Sequence, residues 1–282
     1  MLYAHGVWAT TPTTMTRSAL IVLLAVVGAA IAAPANKPKQ PKKPADITAD
    51  VAALAGPDIE RAAHAATTLG TYELSEAHAA LLDALAIGLA PPVALPALAA
   101  VAQHPVAADV AALKRYAGHH TPSVRSAALG ALAGYSDPAA RAAIVAGLHD
   151  NAGAVRAAAA TAAANGRIRE AADTLLLLLG KREDSAIRAV AQLADPDLAR
   201  TIADRFGRLP DASLALCLGL ILRRGDFGPD PARVEIVRAL ATIQDPVAIA
   251  QLSQYVDETP NNPRRPSRIE AEMVVGARRG QR

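Results

Sequence analysis

The chain has 282 residues, 52% of them hydrophobic but only 3% aromatic, with Ala and Leu dominating the apolar content; that composition favours helices packed through small side chains and excludes a sheet protein, whose strands need alternating Val, Ile and aromatic residues. The formal net charge of +3 is uneven: Lys37, Lys39, Lys42 and Lys43 give a short N-terminal segment +4, residues 259–282 hold six Arg against Glu270 and Glu272, and the body from Asp46 to Glu258 has 18 basic and 24 acidic residues. Specific nucleic-acid binding, which needs basic residues on the folded body, is thereby excluded, as is an intrachain disulfide, since Cys217 is the only cysteine.

Residues 1–35 read as a secretory signal peptide with an N-terminal extension. Arg17 precedes the uncharged run Ala19–Ala33, and Met15 is a suitable start. Small residues follow as Ala30-Ile31-Ala32 and Ala33-Pro34-Ala35, either of which fits an A-x-A cleavage site. Fifteen apolar residues fall short of the roughly 20 of a membrane span. The four Lys after the run oppose translocation, so retention as an inner-membrane anchor is the alternative to export into the periplasm or beyond. Residues 36–45, rich in Lys and Pro, read as an extended linker. They serve either as a spacer or as a weak tether to an anionic surface.

Residues 46–258 show self-similarity. Pro122-Ser-Val-Arg-Ser-Ala-Ala-Leu, Ala152-Gly-Ala-Val-Arg-Ala-Ala-Ala and Ser185-Ala-Ile-Arg-Ala-Val-Ala align, with Val124, Val155 and Ile187 spaced by 31 and 32. Val93 lies 31 before Val124, and Ile59 lies 34 before Val93. Each unit reads as two short helices. Thr121-Pro122, Asp137-Pro138, Asp195-Pro196, Asp230-Pro231 and Asp245-Pro246 are start signals, an N-cap followed by a Pro that needs no N–H partner. Gly70, Gly88, Gly118, Gly134, Gly166, Gly180 and Gly207 fall where helices should stop. Ala140, Ile144 and Leu148 share one helical face, and Leu175–Leu179 is apolar all round, as in a helix sandwiched between neighbours. A hairpin that cannot cover both faces must stack in an array.

The aliphatic-Arg-x-x-Ala helix, the Asp-Pro turn and the 31-residue period resemble HEAT repeats, most closely the short bacterial kind found in phycobilisome lyase-type proteins. The resemblance covers residues 56–258 and is best over 121–211. It implies an all-α, right-handed α-solenoid of five to seven HEAT-like hairpins. It also implies a ladder in which Arg125, Arg156 and Arg188 join turn acids, with Asp150 and Asp184 at the acidic positions. These residues are expected to be structural, fixing repeat register.

The apolar helix Ala212–Arg224 and the break Gly225–Pro229 interrupt the period, which resumes at 231–243 and 246–256. Residues 259–282 read as a basic, flexible tail, although Ser267 and Glu270 form an S-x-x-E capping box before Ile269–Val275 that marks a short helix, either a capping element of the array or a partner-dependent one. The Arg-rich tail, with Lys37, Lys39, Lys42 and Lys43, offers weak contact with an anionic surface.

No catalytic, cofactor or metal site is expected. His119, His120 and His149 recur in the same turn of adjacent repeats, but neighbouring helices stand about 8–10 Å apart, far from the roughly 2.0–2.1 Å ligand distances of zinc. Asp226-Phe227-Gly228 spells a kinase triplet without its companion loops. Cys217 lies in an apolar run and reads as a buried thiol. The expectation is therefore a non-enzymatic protein-interaction scaffold of the cell envelope. The alternatives are an anchored scaffold or a lyase- or chaperone-like activity.

Overall fold

The computed structural model describes residues 46–280; the expected signal peptide and Lys/Pro linker lie outside the described residues. Those described form helices and no strand. Seven hairpins follow one another: α1 (Thr48–Leu54) with α2 (Ile59–Gly70), α3 (Ser75–Ile87) with α4 (Pro91–Val101), and α5 (Asp109–Ala117) with α6 (Pro122–Leu132). Next come α7 (Pro138–Gly147) with α8 (Gly153–Asn165), then α9 (Ala172–Gly180), entered through a 3-10 turn at Arg169–Ala171, with α10 (Asp184–Leu193). The last two are α11 (Pro196–Ala203) with α12 (Asp211–Arg223), and α13 (Asp230–Thr242) with α14 (Pro246–Glu258). A fifteenth helix, α15 (Pro266–Arg279), has no hairpin partner and packs on both α13 and α14. The array is an all-α solenoid.

Helix starts follow local chemistry. The carboxylates of Asp58, Asp137, Asp195 and Asp245 each accept from backbone N–H groups of the first turn that follows, satisfying donors a helix leaves free. Asp230 departs from the expected pattern. Helix α13 begins at Asp230 itself, and its carboxylate accepts from the N–H and hydroxyl of Ser267 instead. Glycines stand at helix ends as expected, Gly88, Gly118 and Gly166 directly after α3, α5 and α8, but the left-handed turn is not always theirs. Gly166 has a right-handed backbone and Gly180 is the last residue of α9. At these two ends the left-handed residues are Arg167, one residue after Gly166, at φ 50° and Arg182, two after Gly180, at φ 63°. Their N–H groups and those of Ile168 and Glu183 close back onto the preceding helix, as in a Schellman motif.

Even-numbered helices pack on one another more closely than odd ones do from α1 through α12, so the double layer bends toward the even row. Small residues permit that approach. A Cβ on Gly70 would stand 2.8 Å from Ala100 Cα, so α2 and α4 touch nearly backbone to backbone. The 31-residue register places Ala62, Val93, Val124, Val155 and Ala186 at equivalent buried positions. The first copy is thus Ala62 and not the expected Ile59, which is 51% exposed. Ala140, Ile144 and Leu148 are buried together, whereas Leu177 breaks the expected all-round burial of α9 by facing solvent.

The tail takes the capping-element alternative and departs from the flexible one. Residues 266–279 are helical, with Ser267, Ala271 and Val275 buried against the last hairpin. The capping box does not form: Ser267 lies inside the helix, its hydroxyl bonded to Asp230 and Tyr255, and Glu270 pairs with Arg238. Of the tail arginines, Arg264 and Arg268 pair with Glu272, and Arg278 donates to the carbonyls of Ala241 and Ile243. The segment is a stacked end helix and not a flexible basic tail.

Candidate functional site

Turns within the hairpins carry an arginine ladder. Arg125, on the first turn of α6, makes a bidentate pair with Asp150, both bonds 2.8 Å, while its remaining nitrogen donates to the carbonyls of His119 and His120. Arg156 repeats the geometry one hairpin on, donating to the carbonyls of Asp150 and Asn151 and pairing with Glu183 at 2.7 Å. Asp150 is therefore held twice, by its side chain and by its carbonyl, and it also accepts from the N–H of Ala152. Planar guanidinium suits such a fork. The Arg125 hydrogen bonds hold the Asp150 carboxyl below its ordinary range, and Asp150 in return raises the Arg125 guanidinium.

Two expected rungs fail. Glu183, not Asp184, pairs with Arg156, because Asp184 is already the first residue of α10 and Glu183 holds the turn. Arg188 lies on the exposed side of α10 and has no ion pair among the described residues. Helix α10 begins 31 residues after α8, in register with it and with α6, so Arg188 falls one position later in its helix than Arg125 and Arg156 and is turned away from the edge.

Sequence reading missed a second set of arginines. Arg115 donates to the carbonyls of Leu85 and Ala86 at the end of α3. Arg224 donates to those of Ala191 and Ala194 after α10, and the buried Arg233 to those of Leu222, Arg224 and Phe227 after α12. Each neutralises carbonyls that a helix C-terminus leaves unpaired. Their link is long-range, so no local motif announces them. Phe227 of the kinase-like triplet is buried, and its carbonyl accepts from Arg233.

A buried polar knot sits on the opposite edge. Asp109 is fully buried and accepts from His78 Nε2 at 2.7 Å, Val106 N–H at 2.8 Å and the Tyr135 hydroxyl at 2.6 Å. It thereby ties α3, α5 and the loop before α7. Burial first, and then the bond to Asp109, raises the Tyr135 phenol above its ordinary value. His119 stacks 6.0 Å from Tyr116 and its Nδ1 accepts from Thr121 N–H; burial and the neighbouring His120 lower it. Among the described residues no group of three or more His, Cys, Asp or Glu is placed to hold a metal. The Cys217 thiol is buried and pushed up to about 12 by burial.

The solvent side of the even row is of a different kind. Two columns in the 31-residue register cross it, Pro92, Ser123 and Ala154 in one and Ala99, Gly130 and Thr161 in the other, all exposed. Helices α4, α6 and α8 carry only Arg125 and Arg156 as charged residues, and both are drawn to the turn edge by the ladder. What remains is a smooth, uncharged strip of small side chains. No described helix is long and apolar enough to cross a membrane.

Residues 110–194 match the family model for HEAT repeats, so the resemblance read from the sequence is borne out there. Among solved structures the chain is similar to one from the complex of CpcE and CpcF of phycocyanin lyase from Nostoc sp. PCC7120. That match has 18% identity and a TM-score of 0.46 over 86% of this chain and 98% of that one. It is also similar to Kap121p, at 14% identity and TM-score 0.45 over 81% of this chain and 28% of that one. An engineered protein matches at 19% identity and TM-score 0.36, over 82% and 96%. No curated protein matches the sequence.

Proposed function

We propose that the chain is a non-enzymatic scaffold for protein–protein contact that works in the cell envelope. The observation that carries this reading is the uncharged strip on α4, α6 and α8. Stacked repeats present a continuous surface of this kind to protein partners. Its Ala, Gly, Pro, Ser and Thr side chains recognise shape rather than supply acid–base chemistry. The ladder arginines and acids, which could have formed a reactive cluster, are engaged in holding turns together.

Export is supported by the apolar run Ala19–Ala33 and the small residues after it. A retained run would give the same scaffold anchored in the inner membrane. The four Lys of 36–45 support a weak contact with an anionic surface.

Capture of partners from fractionated native cells by the tagged full-length chain tests both parts. The wild type is expected to retain a reproducible partner and to have an intact mass beginning near Ala33 or Asn36. A chain carrying Ala99→Lys, Gly130→Lys and Thr161→Lys is expected to fold, because these positions face solvent, and to lose that partner. Equal capture by both chains would reject the strip as the binding surface. A full-length mass would reject cleavage.

A further inference from the structure

The acidity of the folded body is concentrated at one end. Residues 46–101, the first two hairpins, hold seven carboxylates against the single Arg61, whereas residues 102–258 hold seventeen of each sign. Among the described residues none of those seven carboxylates is in an ion pair. Over residues 102–258 the two signs balance, and eight carboxylates pair directly with arginine. The acidic end therefore holds uncompensated negative charge facing solvent.

An apolar pocket of about 510 Å³ opens in the same place, between the turn that joins α2 to α3 and the turn that joins α4 to α5. Leu74, Leu82 and Val106 line it, and Val106 is 50% exposed. Glu73 lines it, Glu76 accepts from the hydroxyl of the lining Ser75, and the Tyr72 hydroxyl in its wall donates to Asp50. No lysine or arginine lines it. His78 forms part of the wall and is held by the fully buried Asp109, which is itself fixed by Val106 N–H and Tyr135. The pocket is thus pre-shaped, so a ligand entering it does not have to order it.

We infer that this pocket docks a basic segment of a partner protein, one that places a large aliphatic or aromatic side chain among Leu74, Leu82 and Val106 and sets flanking Lys or Arg against Glu73 and Glu76. The inference rests on the interaction-scaffold reading and gives it a second contact, on the turn edge rather than on the even row. The apolar side chain supplies affinity by leaving water. The carboxylates supply orientation and on-rate. The same charge repels nucleic acid and anionic headgroups.

The test is fluorescence anisotropy of labelled synthetic peptides with the full-length chain. The probe has one leucine between two pairs of lysines; controls replace the leucine by alanine or the lysines by glutamate. The lysine–leucine peptide is expected to bind, to weaken as salt rises toward about 0.5 M, and to lose about tenfold in affinity with E73K/E76K. Val106→Asn, an exposed uncharged change, is expected to weaken it similarly while leaving the circular dichroism of the chain unchanged. No binding, equal binding by the glutamate peptide, or binding unmoved by both variants would overturn the inference. Equal binding by the alanine peptide would also overturn it, since bulk charge attraction would then suffice. If the peptide fails while a captured partner is still lost on substituting the even row, only this inference falls. If both fail, the scaffold reading falls with it.

Discussion

A guanidinium at Arg125 or Arg156 joins three chain segments at once: its own helix, the carbonyls of the turn before it and the acid of the next turn. The expected Arg–Asp pairing was legible at Arg125 and Asp150 because residue types and spacing agree there. It failed at Asp184 because sequence spacing alone does not reveal that this turn is shorter, so that the acid of the rung sits one residue earlier. Glu183→Ala should therefore lower the thermal midpoint while Asp184→Ala leaves it nearly unchanged; the reverse order would contradict the rung. The pH dependence has a definite sign. Asp150 has a lowered pKa in the folded chain, so the unfolded chain binds its proton more readily. The stabilisation it gives is fully present above the ordinary Asp pKa of about 3.9 and is lost as pH falls through the lower folded value. The gap in thermal midpoint between wild type and Asp150→Asn should be widest near neutrality and close below about pH 4. Arg167 illustrates a different rule. It occupies a left-handed backbone position that glycine takes without strain, so Arg167→Gly should stabilise the chain or leave it unchanged, by at most about 1 kcal/mol. Chemical denaturation would measure it, and a loss above that size would mean the Arg167 side chain makes a contact that matters.

Elements were easier to read than their exact contacts. Asp-Pro pairs marked the starts of α7, α11 and α14 because the cap and the missing N–H act locally. The 31-residue period located α4, α6, α8 and α10, yet it was followed to Ile59 by residue type when the equivalent position is Ala62. An alanine gives no signal of its own in a chain so rich in alanine. Close approach of α2 and α4 through Gly70 likewise leaves no local trace. Gly70→Ala would set a Cβ 2.5 Å from Ala100 Cβ and should destabilise by about 1–3 kcal/mol, read from the urea midpoint; a neutral result would show that the two helices can part freely. Helix α15 was legible only as one alternative, because six arginines made its segment look solvated. Its anchor is Ser267, fully buried and shared between Asp230 and Tyr255. Ser267→Ala would leave both groups short of a partner, at a cost of about 1–3 kcal/mol.

At the scale of the molecule, the described residues form seven hairpins and an end helix in one double layer, whose even row presents an uncharged strip on α4, α6 and α8 and whose first two hairpins carry the excess acid. The composition announced helices and small-residue packing, and the charge balance placed the acid in the body. It took the fold to show that small exposed side chains align across α4, α6 and α8, because alignment across helices depends on the register of stacking rather than on any one segment. Stability in such an array is roughly a sum over neighbouring units, so the two ends can tolerate changes the middle cannot. The account rests most heavily on the strip as a place of contact. Hydrogen exchange of the full-length chain, alone and with the partner it captures, tests that directly. The account predicts slowed exchange along α4, α6 and α8, with α7, α9 and α11 unchanged. Slowing confined to the odd row, or none in either row, would contradict it.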